Sequence, residues 1–198
     1  MKQQRTVTDS RKTRETDISI ELNLDGEGKV EVSTGIGFFD HMLMAMARHA
    51  LFNLKLKARG DTQVDAHHTV EDVGIVIGTA LGKALGDKRG VGRFGAFTAP
   101  MDEALARAVV DLSDRPSLVY QVEVPERNRW EFDVNLLKEF FAAFSQSARL
   151  TLHLKLEYGD NYHHCCEAVM KAAGKALRQA CERDSRVKDV PSTKGSLG

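Results

Sequence analysis

The chain contains the pattern His-His-x-x-Glu twice, and this pattern carries most of the chemistry that the sequence offers. The first copy is residues 67–71 (HHTVE) and the second is residues 163–167 (HHCCE). Four of the seven histidines lie in these two copies. Imidazole and carboxylate groups at helical spacing are typical metal ligands. The duplication therefore predicts two metal ions and an internally repeated fold.

The spacing within one copy restricts how its side chains can share an ion. His67 and Glu71 are four residues apart and His68 and Glu71 are three apart, so on a helix the glutamate can share a face with either histidine. Adjacent residues on a helix point about 100° apart, which makes it difficult for one ion to take both histidines of a copy. The two histidines of each copy are therefore predicted to serve different ions.

The repeat also predicts one further ligand for each ion. His41 precedes the first copy, and the matching position before the second copy holds Glu139. Nitrogen and oxygen ligands without thiolate suit Mn²⁺, Fe²⁺ or Zn²⁺, and four protein ligands with open positions favour octahedral manganese. The predicted ligand sets are His67, Glu71, Glu139 and His164 for one ion, and His41, His68, His163 and Glu167 for the other.

The cysteines permit a competing interpretation of the second copy. Cys165 and Cys166 could contribute to a zinc site of the Cys/His type. Their counterparts in the first copy are Thr69 and Val70, which do not ligate metals strongly, so both cysteines are interpreted as packing residues. The chain has three cysteines and two are adjacent, which argues against a disulfide framework and favours a reducing compartment.

Composition excludes several classes of partner. The chain has 28 Lys and Arg residues and 28 Asp and Glu residues, so its formal net charge is zero. This balance argues against nucleic acid or an anionic membrane surface as the main partner. No apolar run approaches 18 residues, and the polar, basic start does not resemble a secretion signal. The sequence predicts a soluble, cytoplasmic protein.

Hydrophobic periodicity predicts the elements that position these residues. In the first half we predict two strands joined as a hairpin, then a helix, a strand and a second helix, at residues 17–24, 29–33, 38–50, 53–59 and 69–85. The glycines at 74, 78 and 82 share one face of the second helix and permit close helix packing. In the second half we predict the same order, with a paired first two strands, at residues 104–112, 117–124, 135–148, 151–157 and 163–182.

The common order of elements predicts an α+β protein made of two β-β-α-β-α halves related by a pseudo-twofold axis. The first half-repeat is assigned to residues 1–92 and the second to residues 93–183. Residues 184–198 are polar and contain Pro191 and two glycines, so they are predicted to form a flexible C-terminal tail.

These motifs resemble those of the imidazoleglycerol-phosphate dehydratase family over nearly the whole chain. The matching segments are residues 14–15, 35–43, 65–72, 86–90, 93–95, 100–103, 111–116, 163–167 and 191–195. Two positions depart from the usual family pattern. Glu139 stands where members often carry histidine, and Thr193 replaces a serine in the tail motif. Carboxylate can replace imidazole on manganese, and threonine keeps the hydroxyl.

The resemblance implies a fold, a cofactor and an assembly. The fold is a duplicated ferredoxin-like one, also described as ribosomal protein S5 domain 2-like, in which sheets flank a helical layer. The cofactor is Mn²⁺, with two ions in each active site. The assembly is a shell of 24 subunits with the active sites at subunit contacts.

The resemblance also implies the reaction of a carbon–oxygen lyase (a hydro-lyase) in L-histidine biosynthesis. D-erythro-imidazole glycerol phosphate loses water and gives imidazole acetol phosphate. The proton to be removed sits on a carbon with no adjacent carbonyl, so the metal-bound imidazole ring is expected to lose its N–H and react through imidazolate and diazafulvene-like species.

Several side chains are candidates for proton transfer and phosphate binding. Glu15, carried over from the matching motif, is a candidate base or ligand of a substrate hydroxyl. Glu71 and Glu167 could shuttle a proton, and Lys171 lies four residues after Glu167, where it could reach the substrate or form an ordinary salt bridge. Phosphate is expected to bind cations and hydroxyls carried over from the matching motifs, which are Arg93, Arg115, Ser192 and Lys194.

Two other functions remain compatible with the same ligands. A dinuclear metallohydrolase would release phosphate, whereas a dehydratase leaves the phosphate attached. A non-catalytic shell protein would use the ions only to join its subunits.

Overall fold

The computed structural model describes residues 5–125, 132–195 and 197. Residues 1–4 of the predicted first half, residues 126–131 of the second half, and residues 196 and 198 of the predicted tail lie outside the described part. The first half contains β1 (Thr6–Lys12), β2 (Thr16–Asn23), β3 (Val30–Ser33), α1 (Gly37–Ala50), β4 (Asn53–Gly60) and α2 (His67–Leu85). The second half contains β5 (Phe94–Met101), β6 (Ala104–Asp111), β7 (Ser117–Gln121), α3 (Leu136–Ala148), β8 (Thr151–Tyr158) and α4 (Tyr162–Cys181).

Each half has one strand more than the sequence predicts, so its order is β-β-β-α-β-α. The additional strands are β1 and β5. In β1, polar residues dominate and the described side chains alternate only between exposed and half-buried. In β5, the buried positions are the small residues Gly95 and Ala99. Neither strand therefore shows the large apolar residues at every second position that reveal a strand in a sequence.

The two sheets have matching strand orders, β1-β2-β4-β3 and β5-β6-β8-β7. The predicted hairpin of β2 with β3 is wrong, because both strands pair with β4, β2 in antiparallel and β3 in parallel orientation. The predicted pairing of β6 with β7 is wrong for the same reason, since both pair with β8. Alternation of polar and apolar residues determines which face of a strand is buried, but it does not determine which strand pairs with it. A helix between two strands allows them to pair in parallel.

The four helices form a layer between the two sheets. Helix α2 packs on β1 and β2, α4 packs on β5 and β6, and the helices contact each other as the pairs α2–α3 and α1–α4. The largest fully buried side chains include Phe39 of α1 and three phenylalanines of α3, at positions 140, 141 and 144. Within the described residues, no helix combines the length and apolarity needed to cross a membrane.

Glycines set the distance between the paired helices, as the sequence predicts for α2. A Cβ atom at Gly74 would lie 2.6 Å from the carbonyl oxygen of Phe140, and one at Gly78 would lie 2.5 Å from that of Phe144. In the other pair, a Cβ atom at Gly174 of α4 would collide with the carbonyl oxygen of Met46 in α1. These backbones therefore touch directly, and the contact fixes the register of each pair.

Alanine substitutions at two glycines of α2 are expected to have different effects on stability. Gly78→Ala should lower the free energy of unfolding by about 1–3 kcal/mol, because the new methyl group meets the backbone of α3. Gly82→Ala is the matched control, since the nearest atom to its Cβ would be 3.8 Å away. Alanine is the better helix former by about 1 kcal/mol, so Gly82→Ala should be neutral or stabilising. Urea denaturation of the metal-free protein would measure both, and equal effects would contradict the close contact.

A buried arginine ties the start of the first sheet to the end of α4. Arg5 is 7% exposed; it donates hydrogen bonds to both carboxylate oxygens of Asp25 and to the carbonyl oxygen of Cys181. The hydrogen bonds from Arg5 lower the pKa of Asp25 below its ordinary value, although partial burial opposes them. The ionised carboxylate is therefore more stable in the folded chain than in the unfolded one.

Asp25→Asn is expected to lower the free energy of unfolding by about 1–3 kcal/mol at neutral pH, because it leaves a buried guanidinium incompletely paired. A lowered carboxyl pKa contributes stability above the unfolded-state pKa of about 3.9, and the contribution is lost as pH falls through the folded-state value. The difference between wild type and variant should therefore be constant near neutral pH and should shrink below about pH 4. Thermal unfolding as a function of pH would test this, and a difference that grew in acid would contradict it.

Candidate active site

Three of the predicted metal ligands converge on one point between α1 and α4. The Nε2 atoms of His41 and His163 lie 3.1 Å apart, and each lies 3.1 Å from Oε2 of Glu167. These three side chains form a group whose ligand atoms could hold one metal ion. The contact of Gly174 with Met46 sets the register that brings His41 opposite Glu167.

The beginning of α4 is fixed by its capping residue. The side chain of Asn161 accepts hydrogen bonds from the backbone N–H groups of His163 and His164. Asparagine is a favoured residue at this position because its oxygen satisfies N–H groups that have no partner within the helix. The cap therefore holds the first turn, which carries both histidines of the second copy, in a defined conformation.

Glu167 is ionised at neutral pH. Burial alone would raise the pKa of this carboxyl group, but hydrogen bonds from Lys171, His41 and His163 outweigh it and lower the pKa to about 2. Lys171 donates to Oε1 at 2.7 Å, which leaves Oε2 directed at the two histidines. The predicted proximity of Lys171 to the metal ligands is thus present, in the form of an i,i+4 salt bridge.

Three residues of the second predicted set lie on the matching helix pair, α2 and α3, but among the described residues they do not form a cluster like that of His41. Nε2 of His67 is 3.8 Å from Oε2 of Glu71, and Glu139 lies in the first turn of α3. Gly78 and Gly174 are separated in the sequence by the same number of residues as His67 and His163. Met46 and Phe144 are likewise separated by the same number of residues as His41 and Glu139. Glu139 therefore occupies the position on its helix that His41 occupies in the three-residue cluster.

The remaining histidine of each copy contacts a carboxylate instead of the cluster. Nδ1 of His68 is 3.0 Å from Oδ2 of Asp61, and Nδ1 of His164 is 2.7 Å from Oε2 of Glu103. These hydrogen bonds raise the pKa of each histidine. Among the described residues of one chain, His68 thus does not join the cluster of His41, to which the sequence assigns it.

Glu15 lies beside His68 in a turn that is attached to α2. Its Oε2 atom is 4.0 Å from Nδ1 of His68. The neighbouring Thr16 donates a hydrogen bond from its hydroxyl to Asp72 of α2, a buried carboxylate one residue after Glu71. The helix that carries three predicted metal ligands therefore also holds the turn that carries Glu15.

Two of the four predicted phosphate-binding residues, Arg93 and Arg115, come together at Asp111. Arg93 forms hydrogen bonds from Nε and Nη2 to this carboxylate, and Nη2 of Arg115 is 3.7 Å from it. Arg93 also donates from Nη1 to the carbonyl oxygen of Pro191 at 2.7 Å. Ser192 and Lys194 follow directly, and the backbone N–H of Lys194 donates to the Ser192 hydroxyl. The described part of the tail has neither helix nor strand, and the hydrogen bond from Arg93 to Pro191 joins it to this arginine.

The metal cluster and the phosphate candidates lie at opposite ends of α4 in one chain. The backbone N–H of Arg93 donates to the carbonyl oxygen of Ala180, in the last turn of the helix, whereas His163 lies in its first turn. An α-helix rises 1.5 Å per residue, so the two ends are about 25 Å apart.

Sequence reasoning assigned no role to the carboxylates that support these groups. Asp61 and Glu103 bind histidines, Asp111 binds the two arginines, and Asp72 holds the turn of Glu15. The available signal was weak: three of these residues lie in motifs of the family resemblance, and Asp61 follows a strand beside the first histidine copy. Their partners are distant in sequence, so spacing alone does not reveal the contacts.

The fold and the site together define a class: an internally duplicated α+β protein with a candidate metal centre of histidine and glutamate. A family model described as imidazoleglycerol-phosphate dehydratase matches residues 34–177. The chain therefore belongs to the imidazoleglycerol-phosphate dehydratase family, which confirms the resemblance identified in its sequence.

Relatives and solved structures of the family match almost the full chain. The imidazoleglycerol-phosphate dehydratase of Pelobacter propionicus is 53% identical over 193 residues, which cover 98% of this chain and 99% of that protein. That of Clostridium botulinum is 54% identical over 187 residues, covering 94% and 95%. The crystal structure of the Staphylococcus aureus enzyme has a TM-score of 0.81 at 37% identity, covering 90% and 99%. The Pyrococcus furiosus structure, in complex with (S)-C348, has a TM-score of 0.80 at 37% identity, covering 96% and 100%.

Proposed function

We propose that the chain is a hydro-lyase that removes water from imidazole glycerol phosphate and forms imidazole acetol phosphate in histidine biosynthesis. The observation that carries this proposal is the convergence of His41, His163 and Glu167 on one point. Relatives of this name match at more than half identity over nearly the entire chain, which supports the same substrate and reaction. We further propose that each active site uses two Mn²⁺ ions.

The donor atoms of the cluster fit manganese. They are two imidazole nitrogens and one carboxylate oxygen, with no thiolate among them, which suits Mn²⁺ better than soft metals. The separations of 3.1 Å between the three donor atoms are short enough for one ion to contact all of them.

The side chains divide the chemistry among them. When bound, the metal ions would supply Lewis-acid stabilisation of negative charge on the imidazole ring of the substrate. Glu167 and Glu71 contribute ligand oxygens, and Lys171 keeps Glu167 ionised and oriented. Glu15 is placed beside His68, where it can accept a proton from the substrate carbon or bind a substrate hydroxyl.

The phosphate group of the substrate would bind to the cluster at Asp111. Arg93 and Arg115 offer guanidinium groups, whose planar donor pattern suits phosphate oxygens. Ser192 and Lys194 add a hydroxyl and a cation from the tail segment that Arg93 holds. Closure of this segment over bound substrate would exclude water from the reaction.

One chain alone does not place both ends of the substrate. A three-carbon chain links the imidazole ring of the substrate to its phosphate, a span far shorter than the length of about 25 Å that separates the two groups along α4. The proposed site therefore combines the metal ligands of one chain with residues of a second chain in the assembly. His68 and His164 would complete the metal sets across such contacts between chains. The family resemblance suggests 24 copies in the assembly.

A product assay distinguishes this function from its alternatives. Protein loaded with Mn²⁺ would be incubated with imidazole glycerol phosphate, and the ketone product and free phosphate would be measured in the same sample. We expect the ketone and no free phosphate. Phosphate release would support a metallohydrolase instead. An assembled, metal-loaded protein that forms neither product would support a structural shell.

A further inference from the structure

We infer that Asp61 and Glu103 are positioning residues, each of which orients one histidine ligand toward a different metal ion. Asp61 would act through His68 and Glu103 through His164. The inference rests on the proposed function, because it assumes that both histidines bind metal. It adds the residues that prepare these histidines for binding.

The two hydrogen bonds determine which nitrogen of each ring is available. An ionised carboxylate can only accept a hydrogen bond, so Nδ1 of each histidine must carry the proton that it donates. The lone pair is then on Nε2, the nitrogen on the far side of the ring. Metal-binding histidines commonly donate their other ring N–H to a carboxylate in this way, which fixes the ring and makes it a stronger ligand.

The two carboxylates come from positions that the repeat does not relate. Asp61 follows β4, and its counterpart after β8 is Asp160. In the second half the carboxylate is supplied instead by Glu103, in the connection between β5 and β6. Both nevertheless bind Nδ1 of the equivalent histidine. Both halves thus keep a carboxylate on Nδ1, although a different residue supplies it in each half. This points to a need of the histidine for a carboxylate partner.

The carboxylate of Glu103 is itself held in place by the backbone. Oε1 of Glu103 accepts hydrogen bonds from the N–H groups of Asp160 and Asn161, so its Oε2 is directed at His164. For Asp61 it is the main chain that is fixed, because its N–H donates to the carbonyl oxygen of Glu15 in the turn of the proposed base. Glu103 is thus oriented through its side chain and Asp61 through the position of its main chain.

The inference predicts which manganese ion each variant weakens. His164 belongs to the predicted set of His67, and His68 belongs to the predicted set of His41. Glu103→Gln should therefore weaken the binding of one ion of each pair, and Asp61→Asn should weaken the binding of the other. The amide of Glu103→Gln must either lose its backbone contacts or face Nδ1 with an N–H and favour the wrong ring tautomer. The amide of Asp61→Asn can still accept from Nδ1, but it removes the negative charge that makes the ring a stronger ligand.

The test is a titration of the assembled, metal-free protein with Mn²⁺, in which free Mn²⁺ is followed by its electron paramagnetic resonance signal. Wild type should bind two ions per chain. Each single variant should bind one ion as wild type does and the other about 10- to 100-fold more weakly. The double variant should weaken both. Glu27→Gln is the matched control, because Glu27 is an exposed carboxylate that pairs only with Lys29 among the described residues.

Other results would overturn the inference in recognisable ways. Wild-type Mn²⁺ binding in both single variants, with a lowered unfolding temperature, would mean that the carboxylates act only in folding. A double variant that keeps one tightly bound ion would mean that both act on the same ion. A wild-type protein that binds no Mn²⁺ would contradict the proposed function itself.

A conservative variant keeps the test decisive if Glu103→Gln does not fold. Glu103→Asp retains a carboxylate on a side chain shorter by one methylene group. It should recover part of the Mn²⁺ affinity that Glu103→Ala loses. Equal affinities of these two variants would overturn the role of the carboxylate.

Discussion

Glu167→Gln is expected to lower kcat for the dehydration by about 10³- to 10⁴-fold, because stabilisation by a metal ion is worth several kcal/mol in the transition state. Oε2 of Glu167 lies 3.1 Å from both His41 and His163, while Oε1 accepts from Lys171. An amide can keep only one of these two functions. If its oxygen faces Lys171, an NH₂ group faces the metal position and repels the ion.

Steady-state kinetics at saturating substrate, with Mn²⁺ varied, would measure this effect together with metal content. Excess Mn²⁺ should restore little activity, since the lost ligand is also the charge that the ion requires. Glu27→Gln serves again as the control, with unchanged kcat. Near wild-type turnover of Glu167→Gln at full metal occupancy would show that the cluster does not take part in catalysis.

Glu15→Gln is expected to lower kcat by about 10²- to 10⁴-fold, the usual contribution of a general acid or base. Mn²⁺ binding and assembly should remain at wild-type levels, because Glu15 lies near His68 without being bonded to it in the described structure. The loss should appear in kcat more than in KM if Glu15 transfers a proton, and in KM as well if it binds a substrate hydroxyl.

Asp17→Asn is a close control for Glu15→Gln. Asp17 lies two residues away, is exposed and pairs with Lys12 on the neighbouring strand. Its replacement should leave kcat unchanged. A variant at Glu15 that retained full kcat, with metal bound, would remove this residue from the proposed mechanism and leave a different group as the base.

The sequence predicted the helices well because their apolar faces are continuous. Each predicted helix agrees with the structure to within two residues at both ends. Strand pairing was predicted less well, since β3 and β7 cross over a helix to lie parallel to β4 and β8. The strands β1 and β5 were missed because their buried faces carry few large apolar residues. Local periodicity indicates which residues are buried, but it does not indicate which segment of the chain packs against or pairs with them.

The same limit applies to the candidate site. The repeat of the two copies was sufficient to group His41 with His163 and Glu167, since it encodes symmetry-related helix pairs. It also identified Glu139 as the counterpart of His41. It did not reveal that Glu103 binds His164 or that Asp111 binds Arg93, because those contacts depend on how loops meet helices. Nor could it reveal that the metal and phosphate groups lie at opposite ends of α4.

The contact between Gly174 and Met46 has a consequence for the energetics of metal binding. No side chain separates the two backbones at this point, so α1 and α4 have little freedom to slide or separate. The donor atoms of His41 and Glu167 are carried on these two backbones, and their spacing is therefore established before an ion arrives. Such preorganisation reduces the entropy lost on binding. A glycine that ligates nothing thus contributes to the affinity of the site.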